Sequence, residues 1–207
     1  MNVQVLVIAK APVAGRVKTR LCPPCTPAEA ARLAAASLAD TLEAVSALGV
    51  RRTLVLDGSH PVPAGWRVVP QHGGDLGDRL AHAFADTAQP GWATLLVGMD
   101  TPQLTPDLLR NASTALEDGD AVLGPAADGG WWLLGLRDPR HAAALRGVAM
   151  STPRTGEFTA EALRMRGLGI AAAPTLRDVD TAPDALTVAG ECPAGRFAAA
   201  VGEVLAG

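Results

Sequence analysis

The chain has little of several features that would place it in a particular class of protein. Its 207 residues include no tyrosine, three cysteines and four histidines. No apolar run approaches the length that a membrane-spanning helix requires. The net charge is −3 and no extended basic face is visible, which argues against nucleic acid as the main partner. We therefore expect neither a membrane protein nor a nucleic-acid-binding protein.

The cysteines, the histidines and the N-terminal residues add further exclusions. Cys22 and Cys25 have the spacing of a redox pair, but such a pair normally opens a helix directly after a strand. A zinc site would need a second pair, and only Cys192 remains. The histidines show no metal-ligand spacing. The first residues lack the zones of a signal peptide, so the sequence predicts a cytoplasmic protein.

Strand-like and helix-like patterns alternate along the chain. The predicted strands are residues 3–9, 53–56, 67–69, 93–97, 121–123, 131–136 and 169–173. The predicted helices are 27–48, 78–88, 106–117, 139–145, 157–166 and 195–205, and the first of these begins with a capping box at Thr26 and Glu29. This alternation implies an α/β fold with a mostly parallel sheet flanked by helices. No linker is visible, so we expect one domain over residues 1–207.

The first predicted strand leads into a loop with concentrated positive charge. Lys10, Arg16, Lys18 and Arg20 fall within a stretch that contains no acidic residue. In an open α/β sheet, ligands bind at the carboxyl ends of the strands. Lysine and arginine both suit phosphate oxygens. A phosphorylated ligand is therefore the first hypothesis, and a solvated basic loop is the alternative.

Glycine-rich phosphate motifs are excluded at this loop. A P-loop ending in Lys18 and Thr19 would need glycine where the chain has Pro12 and Val17. A dinucleotide-binding fingerprint fails as well, because only Gly15 is present. A grip on phosphate must then come from the side chains of the loop.

Three aspartates follow strands at the same predicted edge of the sheet. Asp100 follows the strand at 93–97, and Asp178 and Asp180 follow the last short strand. Mg²⁺ typically uses one or two protein carboxylates together with phosphate oxygens and water. These positions predict a magnesium site; turn capping by Asp100 and surface charge at a helix start are the alternatives.

Two glycine-rich loops and a tryptophan pair complete the set of candidates. The loops, 71–79 and 128–131, combine glycines with carboxylates, and glycine lets the backbone approach a base or sugar closely. Turn formation explains either loop equally well. Trp131 and Trp132 alternate across a strand, so one should face the core and the other a helix or the ligand cleft.

Taken together and in this order, these motifs resemble a bacterial family of glycosyltransferase-A-fold proteins. The residues that carry the resemblance lie at 8–12, 15, 18–21, 74–79, 98–102, 124–130 and 178–181. That family is similar to 2-phospholactate guanylyltransferase and, more distantly, to the molybdenum-cofactor guanylyltransferases and the sugar-phosphate nucleotidyltransferases. The resemblance implies a nucleotide-diphospho-sugar transferase fold of the Rossmann type over nearly the whole chain.

The resemblance also implies roles for individual residues. Asp100 and Asp180 would bind Mg²⁺ or Mn²⁺, with Asp178 as the alternative to Asp180. The loop 71–79 would lie near the base and ribose, and the Asp128 loop would face the acceptor. The implied catalytic residues, which would neutralise the triphosphate, are Lys10, Arg16, Lys18 and Arg20. The implied binding residues are Ala9, Gln71, Gly73, Gly74, Asp75, Gly77, Asp128, Gly129 and Gly130.

Two departures from the family pattern bear on the activity. The first loop has fewer glycines and more cations than typical nucleotidyltransferases, and Gly98 stands where metal-dependent glycosyltransferases carry the first acid of Asp-x-Asp. Both favour a nucleoside triphosphate over a nucleotide-sugar. We therefore predict Mg-dependent nucleotidyl transfer to a small phosphorylated or phosphonate acceptor, with release of pyrophosphate. Glycosyl transfer from a nucleotide-sugar and non-catalytic nucleotide binding are the alternatives.

The sequence leaves the oligomeric state open. The predicted C-terminal helix carries Phe197, Val201 and Leu205 at helical spacing. This apolar face could pack on its own domain or on the partner in a homodimer.

Overall fold

Seven strands form one sheet at the centre of the molecule, as seen in a computed structural model that describes residues 1–205. The strands are β1 (Asn2–Lys10), β2 (Arg51–Asp57), β3 (Arg67–Pro70), β4 (Trp92–Val97), β5 (Ala121–Pro125), β6 (Trp131–Leu136) and β7 (Ile170–Ala172). Their spatial order is β3-β2-β1-β4-β6-β5-β7. Only β6 runs antiparallel to its neighbours among these strands. The mostly parallel α/β sheet is thus confirmed.

Helices pack on both faces of this sheet. The α-helices are α1 (Pro27–Ser46), α2 (Leu76–Thr87), α3 (Pro106–Asp118), α4 (Thr155–Arg164), α5 (Ala182–Glu191) and α6 (Arg196–Leu205). Thr19–Leu21 and Pro139–Leu145 are 3-10 helices, so the predicted helix at 139–145 has the tighter form. Helix α5 is an addition to the predicted set. Within residues 1–205, no helix has the length and apolar character needed to cross a bilayer.

Alternating residues of the central strands bury side chains on both faces. Val5 and Val7 of β1 pack in one cluster with residues of α1 and α3, and Leu6 packs in the opposite cluster with residues of α2 and α4. Near-continuous apolar runs are expected of parallel strands that are covered on both sides. β1 and β4 are therefore buried at the centre of the sheet, and because they run parallel their carboxyl ends lie at the same edge.

A third apolar cluster joins the C-terminal helices to the rest of the chain. Phe197 and Val201 of α6 are buried in this cluster with Leu21 and Leu33. The apolar face of α6 therefore packs on its own chain. The same cluster contains Val179, so it also holds the segment that connects β7 to α5.

Candidate active site

A cleft of about 810 Å³ opens at the carboxyl edge of the sheet. Segments that follow β1, β4 and β7 form one side of it, and the β5–β6 hairpin and the segment before α4 form the other. The sequence-predicted site residues on its wall are Ala9, Lys10, Arg16, Lys18, Arg20, Gln71, Asp100, Asp128, Gly130, Asp178 and Asp180. The fold thus brings together candidates from well-separated parts of the chain.

The other predicted binding residues lie behind this wall. Asp75 caps α2, because its Oδ1 accepts a hydrogen bond from the Asp78 N–H at 2.8 Å. Gly77 packs so closely that a Cβ there would lie 2.4 Å from the Leu145 carbonyl oxygen. Gly73, Gly74 and Gly129 also lie outside the lining of the cleft. The structure gives Asp75 and Gly77 capping and packing contacts, and the predicted base-binding role of the loop stays a prediction.

Lys18 forms an ion pair with Asp100 inside the cleft. Its Nζ lies 2.6 Å from Asp100 Oδ1 and also donates a hydrogen bond to the Val179 carbonyl oxygen. The Lys18 side chain is only 8% exposed, and its backbone φ of 49° lies in the left-handed region that lysine rarely adopts. Lys18 therefore connects the first loop to Asp100 and to the segment after β7.

A second ion pair joins the same two segments. Arg20 Nη1 lies 2.6 Å from Asp180 Oδ2, and both side chains are at least one-third exposed. An exposed pair of this kind stabilises the fold by at most about 1 kcal/mol. The Val179 N–H also donates to the Asp100 carbonyl oxygen at 2.9 Å. Both proposed metal ligands thus already have a cation of the first loop as their neighbour.

Lys10 and Arg16 differ from these two cations. Neither forms an ion pair within residues 1–205, although both line the cleft. Gln71 supports the strand end beside Lys10, since its Nε2 donates to the Ala9 carbonyl oxygen at 2.7 Å. Lys10 and Arg16 are therefore the cations of the first loop that remain available to an anionic ligand.

Asp178 is partly buried in the cleft near other carboxylates, and both conditions raise its pKa. Burial, together with the nearby carboxylates of Asp128 and Asp180, raises the pKa of Asp178 to about 6. Lys18 opposes this shift of the Asp178 pKa. The carboxylates Asp100, Asp128, Asp178 and Asp180 all line the cleft, and such a concentration of negative charge favours a bound cation.

The carboxylates of the cleft suit a Mg²⁺ ion that a bound ligand also coordinates better than a metal site made of protein side chains alone. Within the described part of the chain, no group of three or more His, Cys, Asp or Glu side chains is arranged to hold a metal ion. Mg²⁺ prefers oxygen ligands and takes one or two carboxylates together with phosphates and water. Asp100 and Asp180 would supply those carboxylates, while Asp178 stays the alternative to Asp180.

We expect Asp178→Asn to stabilise the metal-free protein at pH 7.5 but much less at pH 4.5. The folded protein keeps the Asp178 proton up to about pH 6, whereas the unfolded chain releases it near the ordinary value. Wild-type stability therefore loses on the order of 1–2 kcal/mol as pH rises through this window, after allowance for solvent screening. Urea unfolding of wild type and variant in EDTA, at both pH values, measures this difference in the free energy of unfolding. An equal difference in stability between variant and wild type at both pH values would contradict the raised pKa of Asp178.

Two tryptophans shape the side of the cleft opposite the basic loop. Trp132 is buried and donates from Nε1 to the Pro174 carbonyl oxygen at 2.9 Å. Its ring packs over Gly124, where a Cβ would come within 2.6 Å of the indole. Trp131 is half-buried and donates from Nε1 to Thr159 Oγ1 at 3.2 Å. The expectation that one tryptophan faces the core is thus confirmed by Trp132.

The segment before α4 was absent from the sequence-based candidates. Its wall residues are Met150, Ser151, Thr152 and Pro153, and Thr155 at the start of α4 follows them. Arg79, the last residue of the predicted loop 71–79, also lines the cleft. Gly129 allows this segment to lie close to the β5–β6 hairpin, because a Cβ at Gly129 would lie 1.9 Å from the Pro153 carbonyl oxygen. Ser151 has a φ of 58°, a second non-glycine residue in the left-handed region. The only local signal was the Ser-Thr-Pro run, which is typical of any loop.

Solved structures share this fold. A candidate nucleotide-diphospho-sugar transferase from Desulfovibrio desulfuricans G20 is 27% identical, with a TM-score of 0.88 over 98% of this chain and 95% of that one. Rv0371c from Mycobacterium tuberculosis H37Rv, in complex with manganese, is 20% identical, with a TM-score of 0.55 over 91% and 98%. A 2-C-methyl-D-erythritol 4-phosphate cytidylyltransferase from Thermus thermophilus is 17% identical, with a TM-score of 0.50 over 84% and 89%.

These similarities confirm the nucleotide-diphospho-sugar transferase fold, while the expected likeness to guanylyltransferases in particular stays a prediction. A search of curated proteins gave no match. Residues 29–152, more than half of the chain, match the model of a family described as "Uncharacterized protein conserved in bacteria (DUF2064)". The chain therefore belongs to the bacterial DUF2064 family.

Proposed function

We propose that the protein is a metal-dependent nucleotidyltransferase that joins a nucleoside triphosphate to a small phosphorylated or phosphonate acceptor. The observation that carries this proposal is the position of four side chains around one cleft: Lys10 and Arg16, which form no ion pair with the described residues, and Asp100 and Asp180. Cations of this kind suit a polyphosphate, and the carboxylates suit a divalent metal. The acceptor oxygen would attack the α-phosphorus, and pyrophosphate would leave.

The residues of the chain would act mainly by position and charge. Lys10 and Arg16 would stabilise the negative charge that develops on the departing pyrophosphate. Lys18 and Arg20 would position the carboxylates of Asp100 and Asp180, since each is already paired with one of them. Mg²⁺ or Mn²⁺ on Asp100 and Asp180 would neutralise phosphate charge. A general base is unnecessary, because a phosphate nucleophile is ionised at neutral pH.

Glycosyl transfer from a nucleotide-sugar is the second candidate, and two observations favour it. The Desulfovibrio protein, at 27% identity, is described as a candidate nucleotide-diphospho-sugar transferase. In addition, the residues that the β5–β6 hairpin and the segment before α4 contribute to the described cleft lining include Asp128 but no lysine, arginine or histidine. Arg154 of that segment lies outside the lining and pairs with Glu157. A wall without cations suits a neutral hydroxylated acceptor better than an anionic one.

The identity of the leaving group distinguishes the two reactions. The protein is incubated with Mg²⁺ and a panel of acceptors, with either the four nucleoside triphosphates or a set of nucleotide-sugars. We expect pyrophosphate from a triphosphate, detected by a coupled phosphate assay. A nucleoside diphosphate released from a nucleotide-sugar would instead establish glycosyl transfer. Binding without either product would favour a non-catalytic nucleotide-binding protein.

A further inference from the structure

One buried hydroxyl in the cleft has no hydrogen-bond partner. Thr101 directly follows Asp100, lines the cleft and is only 2% exposed. Its Oγ1 is shielded and finds no partner within residues 1–205. A buried hydroxyl without a partner is costly, and natural proteins leave few of them.

Several other buried hydroxyls among the described residues have hydrogen-bond partners. Ser37 Oγ donates to the Met99 carbonyl oxygen at 2.6 Å, and Thr87 Oγ1 donates to the Ala83 carbonyl oxygen at 2.7 Å. Thr94 lies on β4, the strand that leads to Thr101, and its Oγ1 accepts from Gln4 Nε2 at 3.0 Å. Within residues 1–205, two other buried side-chain polar atoms lack a partner, Arg52 Nε and Gln103 Oε1, and neither residue lines the cleft.

The backbone around Thr101 is anchored on both sides. The Met99 carbonyl oxygen accepts from Ser37, and the Asp100 carbonyl oxygen accepts from the Val179 N–H. The Thr101 carbonyl oxygen itself accepts from the Leu104 N–H at 3.0 Å. The backbone of Thr101 is therefore held beside Asp100, and rotation about the Cα–Cβ bond is the movement that would bring the hydroxyl to a ligand in the cleft.

We propose that Thr101 is a ligand-binding residue whose hydroxyl donates a hydrogen bond to a phosphate oxygen in this cleft. The neighbouring groups support a phosphate as the partner, since Lys10, Arg16 and the metal that Asp100 is proposed to hold would all suit that ligand. This inference rests on the proposed function, because it takes the polyphosphate of a nucleotide as the ligand. Thr101 would then be paired only when the ligand is bound.

The test uses Thr101→Val, which removes the hydroxyl and keeps the shape of the side chain. Inorganic triphosphate with Mg²⁺ serves as the probe, and isothermal titration calorimetry measures its Kd. A hydrogen bond to a charged oxygen contributes enough that its loss should weaken binding about tenfold or more. The melting temperature without ligand should stay the same or rise, because the variant no longer buries an unpaired hydroxyl. Thr101→Ser keeps the hydroxyl and should bind the probe nearly as tightly as wild type.

Thr94→Val is the matched control, because it removes a satisfied hydroxyl from the same strand. It should melt at a lower temperature and bind triphosphate with unchanged affinity. Unchanged triphosphate binding by Thr101→Val would overturn the inference, and so would a melting temperature that falls as far as that of the control. If wild type itself fails to bind triphosphate, the proposed function is wrong as well. If wild type binds it and Thr101→Val binds it equally well, only the inference about Thr101 is wrong.

Discussion

Asp100→Asn is expected to lower turnover by about 10³-fold and to destabilise the protein as well. Turnover falls because the proposed metal loses its carboxylate at the end of β4. Stability falls because the largely buried ammonium of Lys18, with its side chain 8% exposed, loses its counter-ion. Asp100 itself is 46% exposed, so we expect a loss of about 1–2 kcal/mol rather than the value for a fully buried pair.

The double variant Asp100→Asn/Lys18→Met separates these two effects. It no longer contains an unpaired buried ammonium, so its free energy of unfolding should recover toward that of wild type. Its turnover should stay as low as that of the single variant, because the carboxylate is still missing. Urea denaturation and pyrophosphate release measure the two quantities. Full turnover in Asp100→Asn would refute the mechanism, and a double variant no more stable than the single one would refute the role of the pair.

Gly129→Ala is expected to destabilise the protein by more than about 3 kcal/mol and to distort the wall opposite the basic loop. Gly129 has a φ of +89°, and an added Cβ would lie 1.9 Å from the Pro153 carbonyl oxygen. Because that atom belongs to the backbone, residues 150–155 must move away from the hairpin. Acceptor binding should weaken strongly, while triphosphate binding on the other side of the cleft should persist in the folded fraction.

Gly147→Ala is the matched control for the backbone strain. Gly147 has a φ of +88°, and a Cβ there would meet no atom within 4 Å. This control should lose only about 1–2 kcal/mol, which is the cost of the left-handed conformation for alanine. The difference between the two variants in urea denaturation isolates the contact with Pro153. Equal losses would show that the segment yields to the added methyl group without cost.

Local sequence signals predicted the helices whose capping residues and apolar periodicity are clear in the sequence. Thr26 and Glu29 form the expected capping box, in which the Thr26 N–H donates to Glu29 Oε2 at 2.7 Å. Helix α5 was not predicted, because its capping box pairs Thr181 with Asp184, whereas the usual sequence signature has glutamate or glutamine at that position. It also buries only Ala185 and Val188, so its apolar period is short.

The candidate site was predictable where it depends on strand ends. Lys10 ends β1 and Asp100 follows β4, and neighbouring parallel strands bring such residues to one edge. The pairing of Lys18 with Asp100 was not predictable, because it depends on tertiary packing and on a left-handed backbone at Lys18. The same holds for Ser151, whose place in the cleft is determined by contacts with the β5–β6 hairpin.

The reversed direction of β6 has a consequence for how this protein family could diversify. A parallel strand in its place would require a long crossover, whereas the antiparallel pair β5–β6 needs only a tight hairpin. That hairpin carries Asp128 to the cleft, and its tip lies outside the registered strands. Residues could therefore be inserted or exchanged at the tip while β1, β4 and the proposed phosphate-binding residues at their ends keep their positions. If the proposed function is correct, relatives could thus change the acceptor at one side of the cleft and retain the nucleotide chemistry proposed for the other.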